Sequence, residues 1–306
     1  MVIVNQIAYT VVVRLASGGT AQSATDGCGV GLAADATGYT IYSTAFLIVM
    51  VPHSIVTVSL ATAILPRLSG LAADRNLEGL ADSVANTLRM ALALIVPFAL
   101  LIPVIAGDIA NAISFGAARS TYENYGPTLA LFGPGIVFFT IHYLMLRGFF
   151  AMERTRTVFW VQCTIAIVNV AVAVALVGAT DARLTAPSLA VAYGASYAVG
   201  SALSYLLLRR ALGGLETHRL LGFLSKLVVP AAGATAVAYA AAQALHATVE
   251  EPTQLTAALW VVAVATVDAL VFLGLAWLLR VPEVIQMGTL ARRRSGIGVS
   301  RGLAVG

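Results

Sequence analysis

The 306-residue chain is strongly apolar: 59% of its residues are hydrophobic, only 10% are charged, and its mean hydropathy is +0.89. Soluble domains carry about 25% charged residues, so this composition excludes a soluble fold with a polar, water-facing surface. The net charge of +4 is small for a chain of this length. Lipid is therefore expected to surround most of the chain.

Eight apolar segments are predicted to cross the bilayer as helices, since about 20 apolar residues span its hydrocarbon core. They lie at 2–17 (short), 40–65, 88–107, 127–147, 158–179, 186–208, 227–247 and 255–279. Pro52 predicts a kink in the second segment. No segment alternates as a strand would, which disfavours a barrel. The predicted fold class is all-α: a polytopic membrane bundle of about eight transmembrane helices.

The segments between and beyond these spans have three different characters. Residues 18–38 are rich in Gly, Ala, Ser and Thr and predict a mobile outer loop. Apolar residues at helical spacing within 67–87 predict an amphipathic helix on the inner membrane surface. The spans form a lobe over 1–290, and the basic, Gly-rich stretch 291–306 predicts a flexible cytoplasmic tail.

The start of the chain does not have the charge order of a signal peptide. The first charged residue is Arg14, at the far end of the first apolar segment, whereas a signal peptide places its positive charge before the apolar core. This segment is interpreted as a transmembrane helix whose upstream sequence is missing.

Basic residues fall almost entirely on one side of the predicted membrane. If the first span runs outward, fifteen of the eighteen Lys and Arg residues lie in inner segments, only Arg119 and Arg183 lie in outer loops, and Arg14 lies within the first span. Positive charge concentrates on the cytoplasmic side of membrane proteins. We therefore expect a multi-pass protein of the cytoplasmic membrane with both termini in the cytoplasm.

Signatures of enzymes and metal sites are absent from the sequence. It has no His-Glu-x-x-His, no Walker-type loop and no Gly-x-Ser-x-Gly, and its two cysteines share no metal-type spacing. His53 and His142 each stand alone in a span and are expected to be packed or hydrogen-bonded helix residues. Gly133-Pro134-Gly135 and Gly194 are expected to permit close helix packing or kinks. The chain is predicted not to be an enzyme and to need no cofactor, metal or nucleic acid.

Three ionisable residues lie at membrane depth, where charge is costly and invites a functional interpretation. Arg14 lies near the outer end of the first span, where the orientation rule disfavours a basic residue, so a role in a cavity is favoured. Arg147 is either an inner-surface anchor that extends to the head groups or a cavity residue. Asp268, midway through the last span, is either buried with a donor, protonated, or involved in proton coupling. These three are the candidate substrate-binding residues.

Two stretches resemble the MurJ (MviN) family of lipid II flippases, in the MOP exporter superfamily. Residues 51–70 read VPHSIVTVSLATAILPRLSG and residues 133–157 read GPGIVFFTIHYLMLRGFFAMERTRT. They contain Pro52-His53-Ser54, Leu65-Pro66-Arg67-Leu68-Ser69 and Gly148-Phe149-Phe150-Ala151, which are similar to the family's motifs at similar spacing.

The resemblance implies about fourteen helices in two lobes around a cavity with alternating access, of which this chain supplies helices seven to fourteen and lacks the N-terminal lobe. It implies a lipid-linked peptidoglycan precursor as substrate, with membrane lipids around the protein. Arg14, and less directly Arg147, would bind the pyrophosphate, and the apolar spans 227–247 and 255–279 would form a groove for the lipid tail.

The sequence departs from the family at two places. Leu47 stands where many members carry Arg. Asn5 and Asn169 match positions that bind sodium in some members, but Ala173, one turn later, offers no carboxylate, so no sodium site is predicted.

Three other functions remain open. One is another exporter of the superfamily, for drugs or polysaccharide lipids. The second is a membrane anchor that recruits cytoplasmic partners through the tail. The third, a membrane-embedded transferase, would need clustered Asp or His residues.

Overall fold

The computed structural model describes residues 2–27, 36–115, 122–249 and 252–284, and within these ranges every long element is a helix. The predicted all-α fold is therefore confirmed, while the predicted tail at 291–306 lies outside the described residues. The helices are α1 Val2–Gly27, α2 Tyr39–Pro52, a π-helical segment His53–Val58, α3 Ser59–Ala73, α4 Leu77–Ile113, α5 Tyr125–Ala151, α6 Thr155–Ala179, α7 Thr185–Leu212, α8 Thr217–His246 and α9 Gln254–Leu278.

Seven helical stretches in the described part of the chain are long and apolar enough to cross a membrane, and they correspond to the second to eighth predicted spans. The first predicted span, 2–17, is helical but is not among the seven. It contains the polar residues Asn5, Gln6 and Arg14. The helix also continues to Gly27, so the predicted loop 18–38 begins too early. Small residues without proline do not end a helix by themselves.

The predicted surface helix at 67–87 is wrong. This stretch forms the end of α3, a tight turn at 74–76 and the start of α4. Leu68, Leu80 and Val84, which suggested an amphipathic face, are fully buried in a core cluster at this end of the bundle. They pack two spanning helices together and do not rest on lipid.

The predicted kink at Pro52 is present as a π-helical segment. Pro52 has no N–H to donate to the carbonyl of Ile48, and its ring crowds that carbonyl. The backbone continues through the six residues His53–Val58 in a wider π-helical turn before α3 resumes the α-helical pattern. The helix thus crosses the bundle in two α-helical parts joined by an altered turn.

The centre of the bundle is formed by α4, α5 and α7. On one side, α2 packs against α5, and α6 packs against α7 and α1; on the other, α8 and α9 pack against each other and against α4. Close approach depends on the glycines noted above. A Cβ at Gly133 would lie 2.7 Å from the carbonyl oxygen of Ala99, and one at Gly135 would lie 3.3 Å from the Cα of Gly194. The predicted packing role of these glycines is confirmed.

The bundle has two chemically different ends. The turns at 74–76, 152–154, 213–216 and 279–281 lie at one end, here named the basic end, and the segments 36–38, 180–184, 247–249 and 252–253 lie at the opposite end. Apart from Arg14 and Arg183, the basic residues among those described lie at or near the basic end. This arrangement agrees with the alternation expected from the charge pattern.

Candidate functional site

A cleft of about 210 Å³ opens between α1, α2, α6 and α7, here named the polar cleft. Its lining contains amide, hydroxyl and phenol side chains but no charged group. These polar residues are Asn5, Tyr9, Tyr42, Gln162, Asn169, Tyr193, Ser196 and Tyr197. Polar groups of this kind in the middle of an apolar bundle need partners, because water is scarce there.

Helical spacing explains why these residues meet. Gln162 and Asn169 are seven residues apart on α6, and Tyr193 and Tyr197 are four apart on α7. Residues separated by three, four or seven positions share one face of an α-helix. Helices α6 and α7 therefore each present a polar stripe to the cleft.

The hydrogen bonds of the cleft are only partly complete. Asn169 donates from Nδ2 to Ser196 Oγ at 3.3 Å, and Ser196 Oγ donates to the carbonyl of Tyr193 at 2.8 Å. The buried hydroxyl of Tyr193 has no hydrogen-bond partner within the described part of the chain. An unpaired buried hydroxyl costs about 1–3 kcal/mol, so a ligand with hydroxyl or amide groups would relieve this cost.

Aromatic rings continue from the cleft toward the basic end. The ring of Tyr197 lies 4.7 Å from that of Tyr193 and 4.8 Å from that of Phe139. Phe139 in turn lies 4.5 Å from the ring of His53, which lies 5.2 Å from that of Tyr143. These contacts connect α7, α5 and the π-helical segment in one row of rings.

The two histidines are hydrogen-bonded, as predicted. His53 Nδ1 and Thr140 Oγ1 are 3.0 Å apart, and His142 Nδ1 and Ser204 Oγ are 2.7 Å apart. Both rings are buried, and each ties α5 to a neighbouring element.

Arg147 ends the row of rings and is the cation nearest to it. Its guanidinium carbon lies 4.5 Å from the ring centroid of Tyr143, and Nη2 donates to the Tyr143 hydroxyl. Its Nε is buried without a hydrogen-bond partner, and no carboxylate among the described residues lies within ion-pair distance. A partly buried guanidinium with unused donors and no counter-charge is suited to bind an anion.

The structure does not bring the three predicted site residues together. Arg14 is exposed on α1, two residues from the cleft-lining Val12 and so about 200° around the helix. Asp268 lies on α9 and faces α4, on the other side of the bundle. Only Arg147 continues from the polar cleft, through the aromatic row.

Asn5 and Asn169, named through the family resemblance, both line the polar cleft. Ala173, one turn after Asn169, is buried. The described ranges contain no group of three or more His, Cys, Asp or Glu side chains placed to hold a metal ion.

Sequence reasoning missed most of the cleft. The phenols of Tyr9, Tyr42, Tyr193 and Tyr197 carry no charge at neutral pH and were not considered. The signal that could have found them is the spacing of Tyr193, Ser196 and Tyr197 along one face of an otherwise apolar helix.

Comparisons with known proteins place the chain in a family. The family model described as "Lipid II flippase MurJ" matches residues 1–255. A solved structure described as "Lipid II flippase MurJ, inward closed conformation" has a TM-score of 0.63 and 14% sequence identity, and the match covers 96% of this chain and 52% of that one. This chain thus spans about half the length of that structure, and at this identity the likeness shows the fold. Because the family model matches most of the sequence, the chain belongs to the lipid II flippase MurJ family.

Proposed function

We propose that this chain forms one half of a transporter that moves lipid II, a lipid-linked peptidoglycan precursor, across the cytoplasmic membrane. The observation that supports this most directly is the polar cleft, with the unpaired buried hydroxyl of Tyr193, in a lipid-surrounded bundle of this family. Such a head group carries charge and many hydroxyls, and hydrocarbon would leave each of them unsolvated at a cost of several kcal/mol. The function is transport, not catalysis.

The cleft and Arg147 divide the recognition of the head group between them. The phenols and amides of the cleft offer donors and acceptors to sugar and peptide groups, while Arg147 offers bidentate, charge-assisted hydrogen bonds to the pyrophosphate. The lipid tail remains against the apolar helices α8 and α9. Because this chain covers 52% of the solved flippase, we assign the second wall of the cavity to a preceding lobe, which rocks against this one.

Arg14 has a different place in this proposal. Its face of α1 also carries the exposed Ile3 and Ile7 and is directed away from the polar cleft. We assign this face to the contact with the preceding lobe, where Arg14 would meet the pyrophosphate outside the polar cleft. Arg14→Ala should then reduce flipping, and Arg14→Lys should recover part of it, because an ammonium lacks the planar fork of Arg.

The test of the proposed function is lipid II flipping by the complete transporter in proteoliposomes, read out by exposure of head groups to an added impermeant modifying enzyme. Arg147→Ala should lower the flipping rate at least tenfold, and Arg147→Lys should restore part of it. The matched control is Arg209→Ala, since Arg209 is an exposed arginine at the same end of the bundle. Wild-type flipping in Arg147→Ala would remove Arg147 from the site.

Residues 1–306 alone should not rescue cells depleted of their flippase, because a rocking cavity needs two walls. Rescue by this chain alone would contradict the proposed division into lobes.

The proposed orientation places the basic end in the cytoplasm. With the native cysteines replaced, a cysteine at the exposed Val249 should react with an impermeant maleimide in intact cells. A cysteine at the exposed His218 should react only after the membrane is opened. The reverse pattern would invert the topology.

A further inference from the structure

Asp268 is a buried acid at the centre of the membrane-spanning part. It lies fourteen residues into α9, about 21 Å along the helix, in a hydrocarbon core about 30 Å thick. Only 4% of it is exposed, and its Oδ1 has no hydrogen-bond partner among the described residues. A buried charge normally has a partner, because leaving it without one costs several kcal/mol.

This carboxyl group lines a second cleft, of about 310 Å³, between α4 and α9. All other side chains of the lining are those of Ala, Leu, Pro and Phe, and none of these can donate a hydrogen bond. The cleft shares no residue with the polar cleft. Its only side-chain hydrogen-bonding group is therefore the carboxyl group itself.

The cleft thus combines an acceptor, the carboxylate of Asp268, with no side-chain donor, and a complementary ligand must supply donors.

The rim of the cleft is apolar and open. Leu94 and Leu273 both line it and are 43% and 51% exposed. In a bilayer, such leucines face lipid tails, so a ligand that partitions into the membrane reaches the carboxyl group from the side.

We infer that this cleft binds a lipophilic amine whose ammonium group pairs with Asp268. An ammonium has three N–H donors and no acceptor, which matches a carboxylate in a cleft that offers no side-chain donor. The rings of Phe98 and Phe272 line the cleft, and aromatic rings attract cations. The volume is at the lower end of the range of small-ligand sites, which fits a single-chain amine.

The test is saturable binding of radiolabelled dodecylamine to the complete protein in phosphatidylcholine nanodiscs. Unlabelled dodecylamine should compete, and dodecanol, which has the same chain length and no charge, should not. Asp268→Asn keeps the shape of the side chain and should weaken binding at least tenfold. The matched control is Asp108→Asn, because Asp108 is an equally buried acid that is already paired with His246 at 3.0 Å; binding should be unchanged.

A second variant keeps the carboxylate and fills the cleft. Ala265→Leu adds bulk to the lining and should also abolish the saturable component, while thermal melting of each variant verifies its fold. Undetectable saturable binding in the wild-type protein, or equal affinity in Asp268→Asn, would overturn the inference.

Discussion

The two sides of the bundle hold their polar groups in different ways. Around the polar cleft, the helices carry hydroxyls, amides and phenols, and the buried hydroxyl of Tyr193 has no partner among the described residues. On the side of α4, α8 and α9, acidic side chains pair with Arg or His at the two ends of the bundle, although Ser83, Thr235 and Asp268 each have a buried side-chain oxygen without a partner there. Arg89 lies 3.4 Å from both Glu216 and Glu283 at the basic end, and Asp108 meets His246 at the opposite end.

This difference indicates which side is fixed and which is adaptable. A neutral hydrogen bond contributes about 0.5–1.5 kcal/mol, so the side chains of the cleft can exchange partners with a ligand at little cost. Breaking a buried ion pair by removing one partner costs about 3–5 kcal/mol. The Arg89 ion pairs at one end of α4 and the Asp108–His246 hydrogen bond at the other hold this helix to its neighbours, whereas the cleft side has weaker, neutral contacts.

The largest loss of stability is expected on the side of α4, α8 and α9. Arg89→Ala should lower the free energy of unfolding by about 3–5 kcal/mol, because it leaves Glu283 largely buried without its cation and leaves Glu216 with only the exposed Arg219. The side chain of Arg89 is only 9% exposed. The measurement is denaturant unfolding in detergent micelles.

The matched control changes the other arginine on the same carboxylate. Arg219 also pairs with Glu216, but its side chain is 72% exposed, and exposed pairs contribute about 0–1 kcal/mol. If Arg219→Ala and Arg89→Ala cost the same, burial does not decide the strength of this network and the comparison fails.

An intermediate loss of stability is expected where α4 packs against α5. In Gly133→Ala the new methyl would lie 2.7 Å from a backbone oxygen of α4, and such overpacking costs about 1–3 kcal/mol. Gly194→Ala is the control, because its methyl would lie 3.7 Å from Gly135 and alanine favours helix. Thermal melting should show a loss only in the first variant; equal melting temperatures would show that the α4–α5 contact is not tight.

The smallest effect on stability is expected in the cleft. Tyr193→Phe removes an unpaired buried hydroxyl and no hydrogen bond, so the free energy of unfolding should rise by about 1 kcal/mol, while lipid II flipping falls several-fold. Tyr205→Phe is the control: this hydroxyl lies 2.7 Å from Thr217 Oγ1, so stability should fall slightly and flipping should persist. Unchanged flipping in Tyr193→Phe would separate the cleft from transport.

The sequence predicted the positions of the helices better than it predicted which side chains each helix packs against. Length and hydropathy locate a spanning helix, and Pro52 predicted where one would change its geometry. In lipid, however, the outward and the packed faces of a helix are both apolar, so the sequence does not show that Asp268 faces α4 or that Tyr193 meets Phe132 and Phe46.

The wrong prediction of a surface helix at 67–87 has the same physical cause. Leucines at helical spacing next to charged residues are typical of a helix on a membrane surface and also of the ends of two spanning helices. Only the tertiary contacts of Leu68 and Leu80 distinguish the two. Arg147 could be identified as a candidate from its depth, but its lack of a counter-charge depends on residues distant in sequence.

The π-helical segment after Pro52 also determines the angular relation between the two halves of its helix. Each residue of an α-helix advances about 100° around the axis. If His53–Val58 closed into a regular α-helix with no residue removed, everything downstream would rotate by about that angle. Ala61 and Leu68, now buried against α4 and α5, would turn toward lipid. The wider turn therefore sets the rotation between the two halves of the helix, so that α2 and α3 each turn their buried face toward their own core cluster.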